Sequence, residues 1–159
     1  MNAEIDKAKA ATESLLTSST IDDPTETRSL LRDLEVNLPI AVRFNVHGLR
    51  SLYEQNSRMK NKDGIFHVDE IVYTGDMGGI MFAIRHELES EDEEEYEDED
   101  KEFGIEVISI THLKVDSTHP LAARIKQYQK KRVLAIAIAN SGTRRSAAKQ
   151  KRKRRGFGS

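Results

Sequence analysis

Between residues 87 and 102, twelve acids stand against a single base, Lys101, giving this sixteen-residue segment a charge of −11. A buried carboxylate needs a cation or several hydrogen bonds to offset its desolvation, so a run this dense has to stay in water. Its sparse apolar content leaves it nothing with which to offset the entropy of ordering, and it reads as a solvated, disordered loop. Any sheet the chain builds must therefore pair strands around this excursion.

Residues on both sides meet that demand. Ile80, Phe82 and Ile84 alternate with other residues before the run, and Ile105, Val107, Ser109, Thr111 and Leu113 alternate after it. Such period-two patterns predict strands over 80–88 and 105–113. A preceding strand over 65–73 is joined to 80–88 by Thr74-Gly75-Asp76-Met77-Gly78-Gly79, whose three glycines suit a hairpin. Ile40, Val42, Phe44 and Val46 predict one more strand, ended at Gly48, and Leu49, Leu52 and Tyr53 a short helix after it.

Ahead of these strands the period is helical. Ile5, Ala8, Ala11 and Leu15 give residues 2–17 a thin apolar stripe. The next helix is better marked: Asp23 suits the N-cap, Pro24 the first turn and Glu26 a capping box, with Leu30, Leu31 and Leu34 on one face and Pro39 as the stop. Beyond Asp116, Thr118 or His119 caps a helix opened by Pro120, with Leu121, Ile125 and Tyr128 inward. Residues 133–139 alternate like a strand in Leu134, Ile136 and Ile138, yet are alanine-rich like a helix, and both readings stand.

The expected fold is α+β: N-terminal helices, then a small, mostly antiparallel, twisted sheet of four or five strands that is open or barrel-like, with a covering helix. Residues 1–22 form a weak helix and linker, 23–142 one domain interrupted by the acidic loop, and 143–159 a disordered basic tail. Charged residues at 33% and apolar ones at 37% depart from globular averages mainly because of these two segments. Cysteine is absent, which excludes disulfides and thiolate chemistry. No apolar run reaches the roughly 18 residues of a spanning helix, and 1–11 lacks a signal-peptide core. The expectation is a protein away from the membrane, cytoplasmic, or nuclear in a eukaryote.

From 143 to 155 there are eight bases and no acid, a segment of +8 that leaves the rest of the chain near neutrality against a total of −2. Arg144, Arg145, Lys149, Lys151, Arg152, Lys153, Arg154 and Arg155 are the candidate nucleic-acid-binding residues, because such a run neutralises phosphates and releases counterions without reading sequence. Phe157 could add a stacking ring. A nuclear-import signal, an acidic protein or membrane surface, or a merely solubilising end are the rival readings. The acidic run offers candidate protein-binding residues in Glu91, Asp92, Glu93, Glu94, Glu95, Glu97, Asp98, Glu99 and Asp100. It could bind a basic surface, mask the basic tail, or have no partner, and Ser90 and Tyr96 within it suit acid-directed phosphorylation.

Enzyme signatures are sparse. The glycine turn at 74–79 lacks the lysine and the following helix of a phosphate loop, and no Gly-x-Ser-x-Gly elbow occurs. His67 with Asp69, joined by Glu70, Asp76 or His86, is the one cluster that could hold a divalent ion, although a wet sheet face explains it as well. Arg43, Arg85, Arg124 and Lys126 would form a basic patch if their faces converged. The resulting expectation is a non-enzymatic regulatory or accessory factor without cofactor, binding DNA or RNA non-specifically through the tail. Its body would serve a protein partner, and the Leu30 to Leu34 helix could serve a homo-oligomer. An adaptor or chaperone-like factor acting through the acidic loop is the alternative, and a metal-dependent hydrolase a remote one.

Overall fold

The computed structural model describes residues 3–54, 59–60, 64–88 and 102–155. Two helices open the chain, α1 (Ala3–Ser18) and α2 (Pro24–Val36). At the start of α2, Asp23 accepts a hydrogen bond from Glu26 N at 2.8 Å, as its N-cap position demands. The Glu26 carboxylate turns instead to Lys131, at 2.8 Å. Leu30, Leu31 and Leu34 are buried in the chain's own core, so the face expected to serve oligomerisation is already spent. The expected weak N-terminal helix is α1, and Leu16 at its end and Asp22 in the connection to α2 are buried.

Strand β1 (Ile40–Phe44) ends where Asn45 takes over: its Oδ1 accepts from Gly48 N and starts helix α3 (Val46–Glu54). Strands β2 (Phe66–Tyr73) and β3 (Ile80–Glu87) form the expected hairpin, with Gly75 and Gly79 at φ +65° and +67°. Strand β4 (Phe103–Ser109) pairs with β3 on the far side of the acidic run.

The expected strand over 105–113 is in fact two strands. Ile110–His112 form a 3-10 turn, capped by the Ser109 hydroxyl, and β5 (Leu113–Val115) follows. The turn also reverses the inward phase. Ile105 and Val107 face solvent, while Ile110 and Leu113 are buried. Sequence alternation runs through the turn and hides the change.

All neighbouring strands are antiparallel, in the order β4-β3-β2-β1-β5. In a flat sheet β4 and β5 would lie about 19 Å apart. A three-residue 3-10 turn advances only about 6 Å, so the sheet has to curl until its edges approach at that end. It remains open, because no ladder joins β4 to β5.

The final helix, α4, runs from Ala122 to Arg155. His119 begins it: the ring Nδ1 accepts from Leu121 N at 3.1 Å. Leu121, Ile125 and Tyr128 pack into the core beside Leu34, Val42, Phe82 and Ile110. Residues 133–139 continue the helix, which settles their ambiguity. Alanines at 135, 137 and 139 propagate a helix already nucleated at little cost, and no sheet edge competes for them. The basic segment at 143–155, expected from the sequence as a disordered tail, is carried by α4 to Arg155. Lysine, arginine, glutamine and alanine all favour helix, and cations suit the negative end of the helix dipole.

Candidate nucleic-acid interface and a buried polar cluster

Helix α4 has two halves with different tasks. From Ala122 to Arg132 it is part of the core, and among the side chains described Arg132 is the last that is buried. Beyond that point it leaves the body: Val133, Leu134 and Ile138 are 57%, 61% and 63% exposed. Arg144, Arg145, Lys149, Lys151, Arg152, Lys153, Arg154 and Arg155 then follow on helical backbone. At about 1.5 Å per residue, these eight cations occupy roughly 17 Å of helix axis. The candidate protein-binding residues Glu91 to Asp100, together with Ser90, Tyr96 and Phe157, lie outside the described residues.

What anchors α4 is a buried polar cluster. Arg132 Nη1 donates to Asp22 Oδ2 at 2.8 Å, and both side chains are almost wholly buried. The same carboxylate oxygen accepts from the hydroxyls of Tyr73 at 2.9 Å and Tyr128 at 3.1 Å. Tyr128 in turn accepts from Ile80 N at 3.1 Å, and Arg132 Nη2 donates to the Asp76 carbonyl at 2.9 Å. Burial pushes the Tyr73 hydroxyl up to about 12, and the neighbouring Asp22 carboxylate adds to the rise. The Tyr128 hydroxyl is raised further, again chiefly by burial.

The Asp76 carboxylate closes the circuit. It accepts from Ser19 Oγ at 2.6 Å, Thr20 Oγ1 at 2.7 Å and Thr20 N at 3.0 Å, and these bonds hold it below the usual carboxylate range. Sequence position gives no hint of this circuit, which joins the α1–α2 connection, the β2–β3 turn and α4. One signal was nevertheless present: Arg132 continues the inward stripe of Leu121, Ile125 and Tyr128, where a cation requires a buried partner.

The proposed metal cluster does not assemble. Asp69 sits at a register shift in β2, so Asp69 and Glu70 both face solvent, while Asp76 is engaged by the α1–α2 connection. His86 points to the opposite, buried side of the sheet from exposed His67. Among the described residues no three His, Asp or Glu side chains gather as a metal site.

Nor do the four body cations converge as one patch. Arg124 pairs with Asp33 and hydrogen-bonds Ser29 at 3.2 Å, and Arg85 lies over the Phe103 ring at 4.7 Å. Arg43 and Lys126 do meet, with Lys114, around an open groove of about 830 Å³ between the β1–β5 edge and α4. Val42, Leu113 and Ile125 are among its apolar lining, and Asp116 lines it as well. Lys114 is the member that sequence reading missed. It enters only because β5 pairs with β1, setting Lys114 directly opposite Arg43. His112, half-buried beside α3, is held below the usual imidazole range by burial and by His47.

No protein-family model, no curated protein and no solved structure matches this chain. Among the described residues no helix is long and apolar enough to cross a membrane. The functional reading therefore rests on the chain's own residues.

Proposed function

We propose that the chain is a regulatory or accessory factor, without catalytic activity of its own, that binds DNA or RNA electrostatically along the distal half of α4. Its α+β body presents surfaces to a protein partner. The observation that carries this reading is the eight-cation segment borne by a helix that has already left the core. A rigid row of cations neutralises successive phosphates without ordering a flexible tail first, so less entropy opposes binding. Sequence specificity is not expected, because phosphate contacts position without reading bases.

The test is a fluorescence-anisotropy titration of a duplex DNA and a single-stranded RNA across a salt series. The full chain is compared with a chain ending at Gly142, which keeps the core residues Leu121, Ile125 and Tyr128 and the buried Arg132. The full chain should show a log–log salt slope of roughly −4 to −7, as expected for five to eight neutralised phosphates. Truncation should remove most of both affinity and slope. Unchanged affinity and slope in the truncated chain would refute the proposal.

A further inference from the structure

The outer edge of β4 pairs with no strand among the described residues, yet its solvent-facing row is apolar. Phe103, Ile105 and Val107 are 52%, 71% and 49% exposed, and all three belong to the outward set of the β4 alternation. Monomeric proteins usually protect such an edge with charge, proline or a bulge. Here the outward row carries none of these, and the single charge of the strand, Glu106, faces the other way.

On that inner side stands a second anomaly. His86 is opposite Gly104 in the β3–β4 ladder, and its Nε2 is buried without a hydrogen-bond partner. Glu106 of the same chain places its Oε1 3.8 Å from this nitrogen. The His86 ring takes the room that a side chain at 104 would need, because a Cβ there would stand 2.9 Å from His86 Cε1.

We infer that β4 is a self-association edge: two copies pair β4 against β4 about a two-fold axis through Ile105, joining their sheets into one. A two-fold axis makes the pairing antiparallel and self-complementary. Centring it on Ile105 sets Ile105 against itself and Phe103 against Val107 of the other copy, so every outward pair is apolar. The same register sets Glu106 of each copy opposite Gly104 of the other, the residue that faces His86 in the β3–β4 ladder.

Charge selects against the alternatives. A register shifted by one pair of residues centres the axis on Glu106 and places two carboxylates face to face, which is unfavourable. A parallel pairing would lay two acidic runs side by side, since each run leads directly into β4. Antiparallel pairing sends them to opposite ends of a seven-residue strand, about 20 Å apart and well beyond the screening length at physiological salt. This inference is independent of the nucleic-acid reading.

The chain has no cysteine, so a single introduced thiol reports the register directly. Facing residues of an antiparallel pair lie within disulfide reach. Under mild oxidation, Ile105→Cys should cross-link to a covalent dimer, as should an equimolar mixture of Phe103→Cys and Val107→Cys. Val72→Cys, on the same sheet face but away from the edge, should remain monomeric. Sedimentation velocity across about 1 to 200 µM should show a monomer–dimer equilibrium for the unmodified chain, spanning the micromolar range usual for small interfaces. Ile105→Lys should abolish this dimer and Ile105→Glu likewise, while mixing the two restores it, because the dyad residue opposes itself. A monomer throughout that range overturns the inference, as does an oligomer larger than two or a dimer untouched by Ile105→Lys. Failure of Ile105→Cys to cross-link, with the dimer otherwise present, overturns the register. Far-UV circular dichroism of each variant distinguishes lost pairing from lost folding.

Discussion

Asp22 ties distant parts of the chain together through a single carboxylate oxygen, which serves a guanidinium and two phenols. Removing it leaves Arg132 charged and buried without a counter-ion and both tyrosine hydroxyls without that acceptor. Asp22→Ala should therefore cost about 3–5 kcal/mol, read from the urea midpoint. The tyrosines add a pH dependence. Tyr73 holds its proton up to about 12 in the fold, against about 10 in an unfolded chain. Its contribution is therefore complete below pH 10 and is lost as pH rises from there through 12. Stability measured against pH should fall over that window, and Tyr73→Phe should flatten part of the decline. Residues that act on their neighbours in sequence were readable beforehand, as Asp23 and His119 show by capping the helices they precede. The pairing of Asp22 with Arg132 was not: the inward stripe of α4 marks Arg132 as needing a buried partner, but no local pattern names one 110 residues away.

Among the elements, the β2–β3 hairpin shows how local signals and tertiary demands combine. Its glycines mark the turn in the sequence, but the two with positive φ do unequal tasks. A Cβ at Gly79 would stand 2.5 Å from the Tyr128 hydroxyl and 2.8 Å from the Arg132 guanidinium, whereas at Gly75 it would come no nearer than 3.3 Å, to a Leu15 methyl. Both substitutions to alanine carry the strain of a left-handed backbone, of order 1 kcal/mol. Gly79→Ala should exceed Gly75→Ala by about 1–3 kcal/mol in chemical denaturation, because it also displaces the buried cluster. The same distinction explains the misread strand over 105–113. Alternation records a two-residue period but not which side is buried, so a turn that reverses the phase passes unseen. Periodicity alone also left 133–139 undecided. The outcome followed from continuity with a helix already packed through Leu121, Ile125 and Tyr128.

On the scale of the whole molecule, the net charge of −2 conceals an acidic run of −11 and a basic segment of +8. If the first competes with phosphate for the second, deleting residues 89–100 should tighten polyanion binding. The gain should be greatest at low salt and shrink as the screening length falls. Anisotropy titrations of the full and deleted chains at two ionic strengths check this, and equal affinities at low salt would make the charge balance incidental. The fold class, with its helices, antiparallel sheet and covering helix, was legible because each element has its own periodicity and stop signals. The curl of the sheet was not, because it follows from the near-contact of β4 and β5 through a three-residue turn.

Helix α4 has one more mechanical property. It is unbroken from the buried Ile125 to Arg155, so its anchored and basic parts share an axis and an angular setting. Each residue of an α-helix adds about 1.5 Å of length and about 100° of rotation. One residue inserted beside Gly142 would barely lengthen the arm, yet would turn every cation beyond it by more than a quarter circle relative to the sheet. Seven inserted residues would add about 10 Å and return the cations almost to their original bearing. The direction in which the body presents itself to anything held by residues 144–155 is thus a matter of rotational phase rather than of reach.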